Sequence, residues 1–232
     1  FNSAENACKA VSAVFRAGIT PSALEFIERD AIDWAIKFTE VSIDIQEETK
    51  AHLLIEVDGE SLEALYLDCE KISSVMQEFN CGDILLADNQ SQKDRIWKLR
   101  RSIGEAVKLN SIYKEEDTVV PRAELPKLLS GVKEIGKKYG FSSVCYGHAG
   151  DGNLHINIIK GSMPDDKWDN DLDYGIREIF NLTKKLGGTI SGEHGIGFVQ
   201  KKYMDIAFSS KAISLQKEIK KVFDPKNILN PG

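Results

Sequence analysis

Three of the four histidines fall in two glycine-rich segments. His148 and His155 sit within "GHAGDGNLH", residues 147–155, and His194 lies in "SGEHGIG", residues 191–197, directly after Glu193. Imidazole and carboxylate are side chains that hold a divalent ion or move a proton near neutral pH. Asp151-Gly152 reads as a two-residue hairpin turn. Under that turn His148 pairs directly with His155 on one face, with Cβ atoms about 4.5–5.5 Å apart. Asn157, two residues further, projects from the same face. Two imidazoles so placed can converge on one ion at about 2.0–2.1 Å each. Glu193 then completes a His-His-Glu set with open positions, the pattern of a catalytic site rather than a closed structural one. His194 is left to take or give a proton. The same residues admit a plainer reading. Gly-Asp-Gly-Asn is then only a turn, the histidines are stacked strand residues, and Gly-Glu-His-Gly is a polar loop whose glycines permit positive φ.

These groups need elements to carry them. "FSSVCYGH" and "NLHINII" read as the two strands of the hairpin, and "DTVVP" as a strand before them. "RAELPKLLSGVKEIGKKYG" reads as a helix ended by Gly140, and residues 166–186 as a long helix. "GGTIS" is a last strand, and "SGEHGIG" opens a helix after it. The order β-α-β-β-α-β is that of a ferredoxin-like unit. In the first half, residues 4–17 form an amphipathic helix with Ser3 as N-cap and Gly18 as stop. "ALEFIE" and "AHLLIEV" are strands, "SLEALYLDCEKISSVMQEF" a second helix and "DILLAD" a further short strand, a looser copy of the same unit. A polar helix over residues 92–108 links the halves. The expected fold is α+β: a large antiparallel sheet, helices on one side, and a turn-rich C-terminal tail that packs on something else.

Length and composition narrow the class. The chain has 232 residues, 42% of them hydrophobic, and a formal net charge of −6. That suits a globular chain with a real core, and the absence of a cationic tract speaks against nucleic acid. No apolar run has transmembrane length. Cys8, Cys69, Cys81 and Cys145 are scattered without a CxxC, which reads as buried free thiols in a reducing compartment such as the cytoplasm. His52, in an apolar strand, reads as structural. The chain opens on Phe1 rather than Met, so its natural start and any targeting signal stay open.

Three stretches together, "YGHAGDGNLHINI", "GGTISGEHGIG" and "FDPKNILNPG", resemble the C-terminal half of FAD-linked oxidases of the vanillyl-alcohol oxidase type. The resemblance spans essentially the whole chain. It is nearest to glycolate oxidase flavoprotein subunits, D-lactate dehydrogenases and D-2-hydroxyglutarate dehydrogenases. It implies a cap (substrate) domain over residues 1–203. It also implies a tail, 204–232, that returns to an N-terminal FAD-binding domain of the same protein. In metal-containing members the matching positions bind a divalent ion, here His148, His155 and Glu193; zinc, iron and manganese all remain open. His194 matches the catalytic base and Asn157 a substrate contact. The arginine of "WKLR", Arg100, matches the residue that holds the substrate carboxylate, whereas without the resemblance it reads as a surface helix arginine. Asn230 matches a flavin contact. A family hydroxyl falls here on Gly104. A family lysine falls on Glu115, with Lys114 one place away as the substituted substrate contact. These two departures favour a monocarboxylate such as D-lactate or glycolate over 2-hydroxyglutarate. An electron-transfer partner, through which the protein could associate with a membrane, is a further implication. Two other classes stay open on the residues: a stand-alone His-His-Glu metallohydrolase, and a binding module that keeps the fold without catalysis.

Overall fold

Strand β1 (Ala23–Glu28) shows how the sheet is dressed. Leu24 and Phe26 point into one core, while Glu25 and Ile27 point to the opposite face. It joins β2 (Ala51–Glu56), β3 (Tyr113–Val119), β4 (Ser142–Gly147) and β5 (Asn153–Ile159) in one antiparallel sheet, ordered β2-β1-β4-β5-β3. The computed structural model describes residues 1–39, 41, 43 and 45–231. The antiparallel α+β architecture is as expected.

The first face of the sheet carries α1 (Ala4–Arg16), α3 (Leu62–Glu78), α5 (Leu125–Tyr139) and α7 (Leu172–Lys185) over the larger core. Ser3 caps α1 by accepting from the Asn6 N–H at 3.2 Å. Gly140, at φ 82°, ends α5 in the left-handed conformation that glycine tolerates. Helices do not stay on one side, however. The second face bears α2 (Arg29–Thr39) and α4 (Gln90–Asn110), which pack on each other and on Ile27, Val144, Tyr146 and Ile159. The reason lies in β4 and β5, which are buried on both faces and must be covered twice. The linking helix α4 accordingly buries Leu99, Arg100, Ile103, Ala106 and Val107, one inward stripe.

The ferredoxin-like unit of β3, α5, β4, β5 and α7 is present, but its last strand is reduced to one antiparallel bridge between Val119 and Thr189. The expected long helix after β5 is two helices, α6 (Asp165–Asn170) and α7. In the first half, "DILLAD" forms no strand: residues 83–88 pair with no neighbour in the sheet, and Ile84, Leu85 and Leu86 stay exposed. "SGEHGIG" opens no helix and runs as a loop. The short α8 (Met204–Ala207) and α9 (Ser210–Phe223) follow, and α9 buries none of its residues. All four thiols are free, with Cys8 and Cys145 buried and Cys69 and Cys81 half-buried. No helix among the described residues is long and apolar enough to cross a membrane.

Candidate active site

Strand register places the polar groups. His155 is opposite Asp117 on one side and Tyr146 on the other, and Asn157 is opposite Glu115 and Val144. All project from the face that carries α2 and α4.

The hairpin differs from the sequence expectation by two residues of register. The connection is a short 3-10 turn, Ala149–Asp151, in which Asp151 and Asn153 both donate backbone N–H bonds to the His148 carbonyl. A two-residue type I′ turn needs positive φ at both central residues, and of Asp151-Gly152 only Gly152 has it, at 78°. Gly152 also lies so close to the Val120 carbonyl that no side chain would fit. His155 therefore faces Tyr146, with ring centroids 5.4 Å apart, and His148 leaves the end of β4 with φ −79° and ψ 74°.

The imidazoles nonetheless converge. The His148 and His155 rings meet edge to face at 5.8 Å, and His194 stacks on His155 at 5.0 Å. One carboxylate oxygen lies among them: Glu193 Oε1 is 3.3 Å from His155 Nε2, 3.5 Å from His148 Nε2 and 3.9 Å from His194 Nε2. His148, His155 and Glu193 can each turn one ligand atom to a common point. Two ligands bound at about 2.1 Å in tetrahedral directions are roughly 3.4 Å apart. The separations at Glu193 fit that spacing. A second trio, Glu115, His155 and His194, also lies within ligand distance.

Each buried end of this cluster is backed by a carboxylate. Glu25 Oε1 is hydrogen-bonded to His148 Nδ1 at 2.7 Å, and Glu115 Oε1 lies 3.2 Å from His155 Nδ1 outside hydrogen-bonding geometry. The Glu25 bond at His148 Nδ1 fixes the tautomer that leaves His148 Nε2 free to bind. The hydrogen bond to Glu25 raises the His148 imidazole above its ordinary value. Glu25 itself is held below the usual carboxylate range: burial pushes it up, but His148 and Arg100 together outweigh burial.

The loop that brings Glu193 and His194 is anchored by Asp117. Its Oδ2 accepts backbone N–H bonds from Gly192 at 2.9 Å, Glu193 at 2.7 Å and His194 at 2.8 Å. Its Oδ1 accepts from Asn153 Nδ2 at 2.6 Å. Burial would raise the Asp117 carboxyl, but these donors hold it below its usual value. A side chain at Gly192 would strike Asn153 Nδ2, so the loop's close approach requires glycine there.

The remaining expected residues separate. Arg100 is buried on the inner face of α4, not at the surface. Its Nε donates to Glu25 Oε2 at 2.8 Å, and its guanidinium lies 5.2 Å from the Tyr146 ring centre. Asn157 is fully buried, donates from Nδ2 to the Val144 carbonyl at 3.2 Å, and interacts with the Tyr146 hydroxyl. Burial pushes the Tyr146 phenol up to about 12, so it stays a neutral donor. Lys114 is a correction. It sits opposite Ile158 on the other face of β3, where its charge acts on Glu116 and Asp173, and alternation turns it away from the histidines. Glu115 occupies the site's side of that strand. Asn230 is exposed on the tail at φ 47°, beyond a turn in which Asp224 accepts from the Ile228 and Leu229 N–H groups. It is not among the groups gathered around Glu193. Sequence reasoning missed Glu25, Asp117, Asn153 and Tyr146. The available signal was a carboxylate inside an otherwise apolar strand, as in "ALEFIE".

The family model for FAD-linked oxidases, C-terminal domain, matches residues 1–232. The chain belongs to that family. Its relatives include glycolate oxidase subunit GlcD of Bacillus subtilis, 32% identical over 100% of this chain and 49% of the relative. D-lactate dehydrogenase of Anaerostipes hadrus is 31% identical over 100% of this chain and 50% of its own. D-2-hydroxyglutarate dehydrogenase of Stutzerimonas stutzeri is 29% identical over 91% and 46%. The chain thus spans about half the length of these relatives. Among solved structures, p-cresol methylhydroxylase with substrate bound superposes with a TM-score of 0.61 at 13% identity, over 96% of this chain and 49% of that one. That likeness supports the fold of this FAD-linked oxidase domain.

Proposed function

We propose that this FAD-linked oxidase domain forms the substrate side of a flavin-dependent 2-hydroxy acid dehydrogenase, acting on a monocarboxylate of the D-lactate or glycolate kind. The observation that carries the reading is one carboxylate oxygen, Glu193 Oε1, lying among the Nε2 atoms of three histidines, one of which, His148, is hydrogen-bonded at Nδ1 to the Glu25 carboxylate. His148, His155 and Glu193 would hold one divalent ion, zinc, iron or manganese. Asn230 and the tail, residues 204–232, would meet the FAD-binding domain. The apolar side chains that α9 and the residues after it leave exposed, Leu215, Val222, Phe223 and Ile228 among them, support that docking.

When bound, the ion supplies a Lewis acid that acidifies the substrate hydroxyl, and the flavin supplies a two-electron acceptor for the hydride from the α-carbon. The chain's own residues do the rest. Arg100, buried and planar, holds the substrate carboxylate. His194, exposed beside His155, takes the hydroxyl proton at Nε2. Asn157 and the neutral Tyr146 phenol line the floor. Gly104 leaves its space to the Tyr146 hydroxyl, 3.5 Å from where a Cβ would sit, which suits a small substrate. Electrons leaving the flavin would pass to a separate transfer partner. The free thiols suit a cytoplasmic setting.

The test uses the full-length protein. Chelation abolishes oxidation of D-lactate and glycolate, and returning zinc, iron or manganese restores it. His155→Ala reproduces the loss and resists rescue. Full turnover in metal-free protein, or hydrolytic turnover without flavin reduction, overturns the reading.

A further inference from the structure

We propose that Glu25 is a positioning residue that ties Arg100 to His148, giving one carboxylate oxygen to each. The inference rests on the reading of Arg100 as substrate holder and His148 as ion ligand. Glu25 lies mid-strand in β1 with its side chain 5% exposed. The pairing of Phe26 with Gly147 sets it beside the end of β4. A carboxylate buried in a sheet is costly unless every charge and lone pair near it is matched. Its oxygens are divided accordingly. Oε1 faces His148 Nδ1 at 2.7 Å, and Oε2 accepts from Arg100 Nε at 2.8 Å. Arg100 Nη2 lies 2.6 Å from Oε2 as an ion pair, yet outside hydrogen-bonding geometry. Glu25 thus engages the Nε–Nη2 edge of the guanidinium, and the remaining N–H groups are left for another acceptor, as a grip on a substrate carboxylate requires.

Two elements that share no covalent neighbourhood, α4 and the β4–β5 turn, are set against each other through this one side chain. Tyr146 touches Arg100 and His155 through its ring alone, so among the described residues Glu25 is the carboxylate that bonds both an ion-ligand histidine and Arg100. A glutamine at position 25 keeps the shape but offers one acceptor and one donor. Since Arg100 and a His148 protonated at Nδ1 are both donors, one of them loses its partner and the other keeps a neutral acceptor in place of a charged one, so both contacts weaken. An aspartate keeps the charge but is one methylene too short to reach both.

The experiment uses the full-length flavoprotein, Mn²⁺ alone as the metal probe, and the better of D-lactate and glycolate as substrate. Glu25→Gln is expected to weaken Mn²⁺ binding to the apoprotein by about 10–100-fold. KM should rise at least about tenfold while flavin stoichiometry is unchanged. Saturating Mn²⁺ then restores kcat but leaves KM high, because excess ion repairs His148's function and not Arg100's. If Glu25→Gln does not fold, Glu25→Asp decides: it should fold and lose either Mn²⁺ affinity or KM, not both. Variants within twofold of wild type in both quantities overturn the inference while the proposed function stands. So does a loss of kcat, KM and flavin in parallel with melting temperature, which would mark a merely structural role. Wild-type protein that neither binds Mn²⁺ nor oxidises a 2-hydroxy acid overturns the functional reading, and the inference with it.

Discussion

Asp117→Asn is the perturbation that reaches the site through its scaffold. One Asp117 oxygen accepts three backbone N–H bonds at 2.7–2.9 Å from the loop that carries Glu193 and His194. Hydrogen bonds to a charged acceptor contribute about 1.5–3 kcal/mol each and neutral ones about 0.5–1.5. Removing the charge therefore costs about 3 kcal/mol over three bonds. Asp117 is 1% exposed, so solvent screens little of this. The new amide must also turn its N–H₂ toward either the loop donors or Asn153 Nδ2. Asn153 could flip its own amide to accept, but would then lose its bond to the Thr118 carbonyl at 3.2 Å. The whole change is about 3–5 kcal/mol, a shift of roughly 10²–10³ or more in loop opening, at 1.4 kcal/mol per decade. Amide hydrogen exchange over residues 189–197 of the full-length protein should report that loss of protection, with kcat/KM falling in step. Unchanged protection at 192–194 would refute the anchoring argument. Lost protection with unchanged kcat/KM would remove the loop from the chemistry. The sign with pH also follows. The folded Asp117 carboxyl is held below its unfolded value, so its contribution is present above about pH 4 and is lost as pH falls through the lower folded value. Acid should open the loop only there.

Three further outcomes are expected. Arg100→Lys should lower kcat/KM by about 10–100-fold, mostly through KM, because lysine keeps the charge and loses the fork; steady-state kinetics with D-lactate and glycolate check it. Lys114→Ala should leave kcat/KM within about twofold, since its side chain leaves β3 on the far face; a tenfold loss would return it to the site. Glu116→Gln should stabilise the protein at pH 8. Burial raises Glu116 from 4.5 to about 7, so its contribution is complete below pH 4.5 and lost as pH rises through about 7. The glutamine mimics the protonated acid and can donate to Gln200 Oε1, a buried oxygen without a donor. A gain on the order of 3 kcal/mol at pH 8, with a flatter slope in urea unfolding between pH 5 and 8, is expected. An unchanged slope would refute it.

Much of the site was legible in the sequence because its signals are local. Glycines flank the histidines, turn chemistry punctuates the chain, and Ser3 and Gly140 cap helices by rules that span a few residues. Periodicity likewise placed α1, α3, α5, β4 and β5, since a buried face repeats at 3.6 or 2 residues wherever it lies. The tertiary structure alone decided what depends on distant partners. "DILLAD" has a strand's composition, but a strand exists only if another edge accepts it, and none does. The hairpin register was set against the Asp-Gly signal by packing of Gly152 on Val120. Arg100 looked like a surface arginine of α4, beside Arg101. Its burial follows from α4 crossing the second face of the sheet, which no window of the sequence contains. Glu25 and Asp117 were invisible for the same reason. A buried carboxylate is permitted only by its partners, and theirs lie 75 and 123 residues away for Glu25 and 75–77 for the loop held by Asp117.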